Sequence, residues 1–103
     1  MKSYTDLEQS KKLVEILPPE SADMMHGRLM VIPFNDGSLT PCWSLAALLN
    51  ILPKIQGGKP IIALDDNYVT YPLPHRSDLH IKADNLVDAC AEMILKLNEL
   101  NLL

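Results

Sequence analysis

The chain has 103 residues, of which 48% are hydrophobic and 21% charged, a composition that is typical of a globular protein and excludes a disordered one. Its net charge of −4 argues against general nucleic-acid binding, which needs a basic face, so we expect no nucleic-acid partner. At this length we expect one compact domain over residues 1–103. No apolar stretch follows the first residues, which predicts no signal peptide, no membrane partner and a cytoplasmic location.

A first helix is predicted between residues 5 and 17. Thr5 and Glu8 have the spacing of a capping box, and the two prolines that follow Leu17 end the helix. Leu7, Val14 and Leu17 recur on one helical face, which we expect to be buried.

A strand is predicted at residues 28–34, followed by a turn and then by the central core helix at residues 40–53. Thr40 can accept hydrogen bonds from the first free N–H groups of that helix, Pro41 suits its first position, and Pro53 ends it. Because nearly every residue between them is apolar, the helix has to be covered on several sides. It also contains Trp43, the only tryptophan.

The last part of the chain predicts a hairpin and a final helix. Two strands at residues 60–64 and 68–71 flank a three-residue loop that ends at Asn67, and residues 79–82 could add a short fourth strand. The final helix is capped by Asp84 or Asn85 and runs to about Asn98. Its predicted buried stripe is Leu86, Cys90, Met93, Ile94 and Leu97.

This order of elements predicts an α+β fold. We expect two layers, with three helices packed on a three- or four-stranded, largely antiparallel sheet in the order α-β-α-β-β-(β)-α.

Cys42 is the strongest candidate for chemistry. In the first turn of the predicted central helix, free N–H groups would stabilise its thiolate. A nucleophile also needs a base, which only His26, His75 or His80 could supply through the fold. The apolar sequence around Cys42 and Cys90 instead favours buried free thiols in a reducing cytoplasm, so we assign no catalytic residue.

The histidines do not predict a metal site. His75 and His80 lie five residues apart, which meets only the second half of a zinc pattern, and the two cysteines are far apart in the sequence. We therefore expect no metal and no other cofactor.

The apolar residues at the C-terminal end predict association. The mean hydropathy is +0.05, and Leu100, Leu102 and Leu103 follow a helix whose buried stripe is already complete. We expect these three leucines to contact a partner protein or a second copy of the chain, and a homodimer is the default closed assembly.

Several stretches together resemble a known group of proteins: SKKL at residues 10–13, SADM at 21–24, PCWSLAALL at 41–49 and the last helix. The set is similar to small bacterial proteins described as phage-like or mobile-element proteins, for which no activity is assigned. The resemblance therefore implies no site residue. The sequence as a whole favours a non-enzymatic, cytoplasmic protein-interaction module. The alternative is a small enzyme or ligand-binding protein with a pocket near Cys42.

Overall fold

The computed structural model describes residues 2–27, 30–34, 39–52, 60–63, 65–71 and 79–102. The helices and strands in this part of the chain are α1 (Leu7–Val14), β1 (Met24–His26), β2 (Val31–Ile32), β3 (Thr40–Cys42), α2 (Leu45–Ile51), β4 (Ile61–Ala63), β5 (Tyr68–Thr70), β6 (His80–Lys82) and α3 (Leu86–Glu99). A 3₁₀ turn at Pro19–Ser21 follows α1. The α+β class and the general order of elements are confirmed. Within the described residues, no helix has the length and apolar character needed to cross a membrane.

The strands form two antiparallel sheets of three strands, where the sequence predicts one sheet. The first has the order β2-β1-β3 and the second β4-β5-β6. In the second sheet the predicted hairpin is present, with Ile62 opposite Val69. Asn67 precedes β5 in the left-handed conformation, with φ at 53°, which asparagine tolerates. The predicted fourth strand is β6.

The first sheet is only partly predicted by the sequence. The strand expected at residues 28–34 is shorter: residues 28–29 lie outside the described part, and of residues 30–34 only Val31–Ile32 form a strand, β2. β1 is not predicted as a strand. The Gly27 N–H donates to the Met30 carbonyl oxygen at 2.7 Å, which closes the hairpin between β1 and β2. A Cβ atom on Gly27 would lie 2.7 Å from that same oxygen, so any other residue at this position would force the backbone of the hairpin to shift.

The core is centred on α3, not on the helix that follows β3. The Asn85 side chain caps α3 by accepting from the Asp88 N–H at 2.9 Å. The helix contacts α1, α2, β5 and β6, which explains why most of its side chains are buried. The buried set includes the whole predicted stripe, Leu86, Cys90, Met93, Ile94 and Leu97, and adds Val87, Ala89 and Ala91.

The helix predicted from residue 40 begins at Leu45 instead, so its predicted N-terminus is wrong. Ser44 caps it, since its hydroxyl accepts from the N–H three residues later at 3.2 Å. Residues 40–42 form β3, in which Pro41 lies opposite Met25. β3 is at the edge of its sheet, where a strand tolerates the missing N–H of proline.

The cap and the buried face of α1 also differ from the prediction. Asp6 is the N-cap and forms a capping box with Gln9, whereas the sequence predicts Thr5 and Glu8. Leu7 and Val14, expected to be buried, are exposed. Leu17, expected on the same face, is buried as predicted, and the buried residues within α1 are Ser10 and Leu13.

A hydrogen-bond network explains the buried serine. The Thr5 hydroxyl is 2.8 Å from the Ser10 hydroxyl and accepts from the Trp43 N–H at 3.0 Å. The Trp43 side chain is fully buried, and its indole N–H donates to the Ser21 hydroxyl at 3.0 Å. These partners satisfy the polar groups that folding removes from water, as buried polar groups require.

The N-terminal strap, residues 2–6, joins the first sheet to α3. Its Thr5 N–H donates to the Trp43 carbonyl at 2.9 Å, and Tyr4 forms an antiparallel bridge with Ser44. At its other end the Lys2 ammonium lies 2.6 Å from the Asp88 carboxylate on α3. The strap therefore contacts both α3 and the segment that follows β3.

Candidate functional site

Cys42 is fully buried on β3 and does not lie at a helix N-terminus. The N–H groups that were expected to stabilise its thiolate belong to α2, which begins three residues later. Burial, with a smaller contribution from the Asp23 carboxylate, raises the pKa of Cys42 to about 11. Burial likewise raises the pKa of Cys90, on α3, to about 11. Both thiols are therefore protonated at neutral pH, the opposite of an activated nucleophile.

The histidines do not supply Cys42 with a base in the described part of the chain. His26 lies on β1, and its Nε2 is 3.0 Å from the Thr5 carbonyl oxygen. Because a carbonyl only accepts, Nε2 carries the hydrogen of this bond. His80 is exposed on β6 with its ring 4.9 Å from that of Tyr68. His75 lies outside the described residues, and among those described no group of three or more His, Cys, Asp or Glu could hold a metal ion.

A different feature, an open groove of about 720 Å³, lies between α1 and the first sheet. It is lined by Lys11, Val14, His26, Gly27, Leu39, Thr40 and Pro41, and we call it the α1–β3 groove. Cys42 is not among these lining residues although Pro41 is its neighbour in sequence. The groove is therefore separate from the thiol on which the sequence-based alternative depends.

Two exposed apolar side chains, Val14 and Leu39, line the α1–β3 groove. Seven large ones are exposed among the described residues, and five lie on α1 or on the segments next to the strands of the first sheet: Leu7, Val14, Met30, Phe34 and Leu39. The other two, Leu49 and Ile61, lie on α2 and β4. Single exposed apolar residues are normal on any protein, but exposed apolar side chains that line a groove, as Val14 and Leu39 do, are typical of a binding surface.

A second, smaller pocket of about 430 Å³ lies between the 3₁₀ turn and α2. Asp23 at its edge accepts from the Ser44 N–H at 2.9 Å and also from the Ser44 hydroxyl. This carboxylate therefore orients the residue that caps α2. Its hydrogen bonds give it a structural role.

Leu100 and Leu102 are held by the end of α3. Leu102 donates its N–H to the Leu97 carbonyl at 2.8 Å, and Asn101 donates to the Asn98 carbonyl at 3.1 Å. With Asn101 in the left-handed conformation, this is a Schellman motif. It folds Leu100 and Leu102 against the core, where both are partly buried.

Leu103 lies outside the described residues. Association through Leu100, Leu102 and Leu103 stays a prediction.

The comparisons with known proteins add no family. No protein-family model matches the chain, and neither the curated proteins nor the solved structures contain a significant match. The resemblance to small phage-like bacterial proteins stays a prediction. The α1–β3 groove itself was not predicted, because the sequence pattern places Val14 in the core and residues 40–41 in a helix.

Proposed function

We propose that the chain is a non-enzymatic protein-interaction module whose binding surface is the α1–β3 groove. The observation behind the proposal is that two exposed apolar side chains, Val14 and Leu39, line that groove. The buried, protonated state of Cys42 argues against the enzymatic alternative, because that alternative depends on a reactive thiol. Two buried free thiols also favour a reducing, cytoplasmic location.

Two leucines of almost equal exposure allow a matched test. Leu39 lines the groove and is 41% exposed, whereas Leu49 on α2 is 39% exposed and lies outside the groove. Replacing either by alanine removes the same atoms from the surface. Such surface substitutions change folding stability by only about 0.5 kcal/mol, so both variants should remain folded.

The experiment uses the immobilised full chain to capture proteins from a lysate of its host, with quantification by mass spectrometry. Burying a leucine contributes roughly 1.5–3 kcal/mol, so Leu39→Ala should reduce capture of the specific partner about tenfold or more. Leu49→Ala should capture it like the wild type. Equal capture by all three proteins would show that the groove is not the interface. Circular dichroism of each variant checks the fold.

A further inference from the structure

Lys11 lines the α1–β3 groove and forms no ion pair with another described residue. Glu8 precedes it by three residues and Glu15 follows it by four, spacings at which ion pairs form along a helix. Neither glutamate pairs with Lys11, and the ion pairs between described residues involve only Lys2 and Lys96 among the lysines. The Lys11 charge is therefore available to a ligand.

The described lining of the groove contains no carboxylate. Val14, Leu39 and Pro41 provide apolar surface, and His26 contributes a ring whose Nε2 already donates to the Thr5 carbonyl. The described part of the lining is thus basic and apolar on a chain whose net charge is −4. Complementarity of charge at an interface selects a partner of the opposite sign, here a negatively charged one.

We propose that the partner presents a short peptide segment in which an aspartate or glutamate is flanked by apolar side chains. Its carboxylate pairs with the Lys11 ammonium, and the flanking side chains cover Val14 and Leu39. The openness of the groove favours a segment of a protein over a free small molecule, because small-molecule sites enclose most of their ligand. This inference rests on the proposed function and adds the chemistry of the partner.

Two pools of synthetic seven-residue peptides test it. In the first pool a central Asp or Glu is flanked by Leu, Val, Ile or Phe at alternating positions, and in the second the centre is Asn or Gln. Binding of each pool to the ¹⁵N-labelled full chain is followed by amide chemical shifts. The acidic pool should bind about tenfold more tightly and should shift the Leu39 and Thr40 amides.

Lys12 provides the matched control. It is an exposed lysine next to Lys11 that does not line the groove, so Lys11→Gln and Lys12→Gln change the net charge equally. Lys11→Gln should abolish the preference for the acidic pool, and Lys12→Gln should retain it.

Other outcomes overturn the inference. These are equal binding of the two pools, binding of neither pool, or equal effects of the two lysine variants. Loss of partner capture in Leu39→Ala together with normal capture in Lys11→Gln would leave the interaction module in place and reject the acidic segment. Unchanged capture in Leu39→Ala would instead reject the proposed function itself.

Discussion

At the scale of single residues, Cys42 and Cys90 illustrate how burial controls thiol chemistry. Both side chains are fully buried, and the pKa of each is raised to about 11. Only the thiolate is nucleophilic. At pH 8 the thiolate fraction of each is therefore about two orders of magnitude below that of a free cysteine, before any effect of restricted access.

We therefore expect the folded protein to react slowly with Ellman's reagent at pH 8. In denaturant two thiols per chain should react rapidly, because unfolding restores access and the ordinary thiol pKa. The absorbance of the released thiolate measures the reaction rate in the folded and in the unfolded protein. A Cys42→Ser variant shows which part of the signal comes from Cys42 and which from Cys90. Rapid modification of Cys42 in the folded protein would revive the enzymatic alternative.

The burial of these cysteines could be predicted from their apolar surroundings, but the burial of Ser10 could not. Ser10 is polar, and its partner Thr5 looks like a helix cap in the sequence. Its burial depends on the contact of Thr5 with Trp43, which lies 38 residues further along the chain. A helical periodicity contains no information about such a contact. The predicted buried face of α1 therefore omits Ser10 and wrongly includes Leu7 and Val14.

At the scale of elements, the β1–β2 hairpin depends on Gly27. Gly27→Ala would place a Cβ atom 2.7 Å from the Met30 carbonyl oxygen, so the backbone of the hairpin would have to shift. Overpacking of this kind typically destabilises by about 1–3 kcal/mol. Denaturant unfolding of the variant should show a loss of that size, with faster hydrogen exchange in β1 and β2.

Met30→Ala is the control in the same hairpin. Met30 is 72% exposed, so its truncation should change stability by no more than about 0.5 kcal/mol. If Gly27→Ala were as stable as Met30→Ala, the close approach at Gly27 would not constrain the hairpin.

The elements that the sequence predicts well are those with local signals. The loop before β5 has an asparagine that tolerates the left-handed conformation, and α3 has both a cap and a regular apolar stripe. Residues 40–42 carry an ambiguous signal, because Thr40 and Pro41 suit a helix start and also an edge strand. Pairing with β1 decides between them, and that pairing is a tertiary contact. The α1–β3 groove likewise depends on tertiary contacts, because α1, β1 and β3 come together only in the folded chain, and a local sequence pattern cannot predict it.

At the scale of the whole molecule, the pair formed by Lys2 and Asp88 attaches the N-terminal strap to α3. Partial burial raises the pKa of Asp88, but hydrogen bonds from Lys2, Gln9 and Asn85 outweigh it and lower the pKa overall. Partial burial of Lys2 lowers its pKa, but its bonds to Asp88 and Asp6 raise it overall. The hydrogen bond from the Gln9 N–H lowers the pKa of Asp6.

These directions determine the pH dependence of stability. A carboxyl group whose pKa is lower in the folded state contributes stability above its unfolded pKa, and that contribution disappears as the pH falls. A lysine whose pKa is raised contributes stability below its unfolded pKa, and that contribution disappears in alkali. The strap should therefore be strongest between about pH 5 and pH 9.

Asp88→Asn should accordingly destabilise the protein by about 1–2 kcal/mol at pH 7. The difference from the wild type should shrink by pH 3, because below its ordinary pKa the Asp88 carboxyl is protonated in the unfolded chain, which weakens the contribution of the lowered folded pKa. Urea midpoints at the two pH values measure this change.

Glu99→Gln removes a carboxylate from an exposed pair with Lys96 and is the matched control, with an expected effect of less than about 0.5 kcal/mol at pH 7. An equal difference from the wild type at pH 7 and pH 3 for Asp88→Asn would show that the Asp88 charge does not stabilise the fold.

The contact between Lys2 and Asp88 also bears on how the protein is made. The two residues are 86 positions apart, and at a synthesis rate of roughly 5–20 residues per second the first waits about 4–17 s for the second. During that time the surfaces that α3 covers in the finished fold have no helix against them. We therefore expect the apolar surfaces that pack on α3 to stay exposed on the nascent chain until this last helix has emerged.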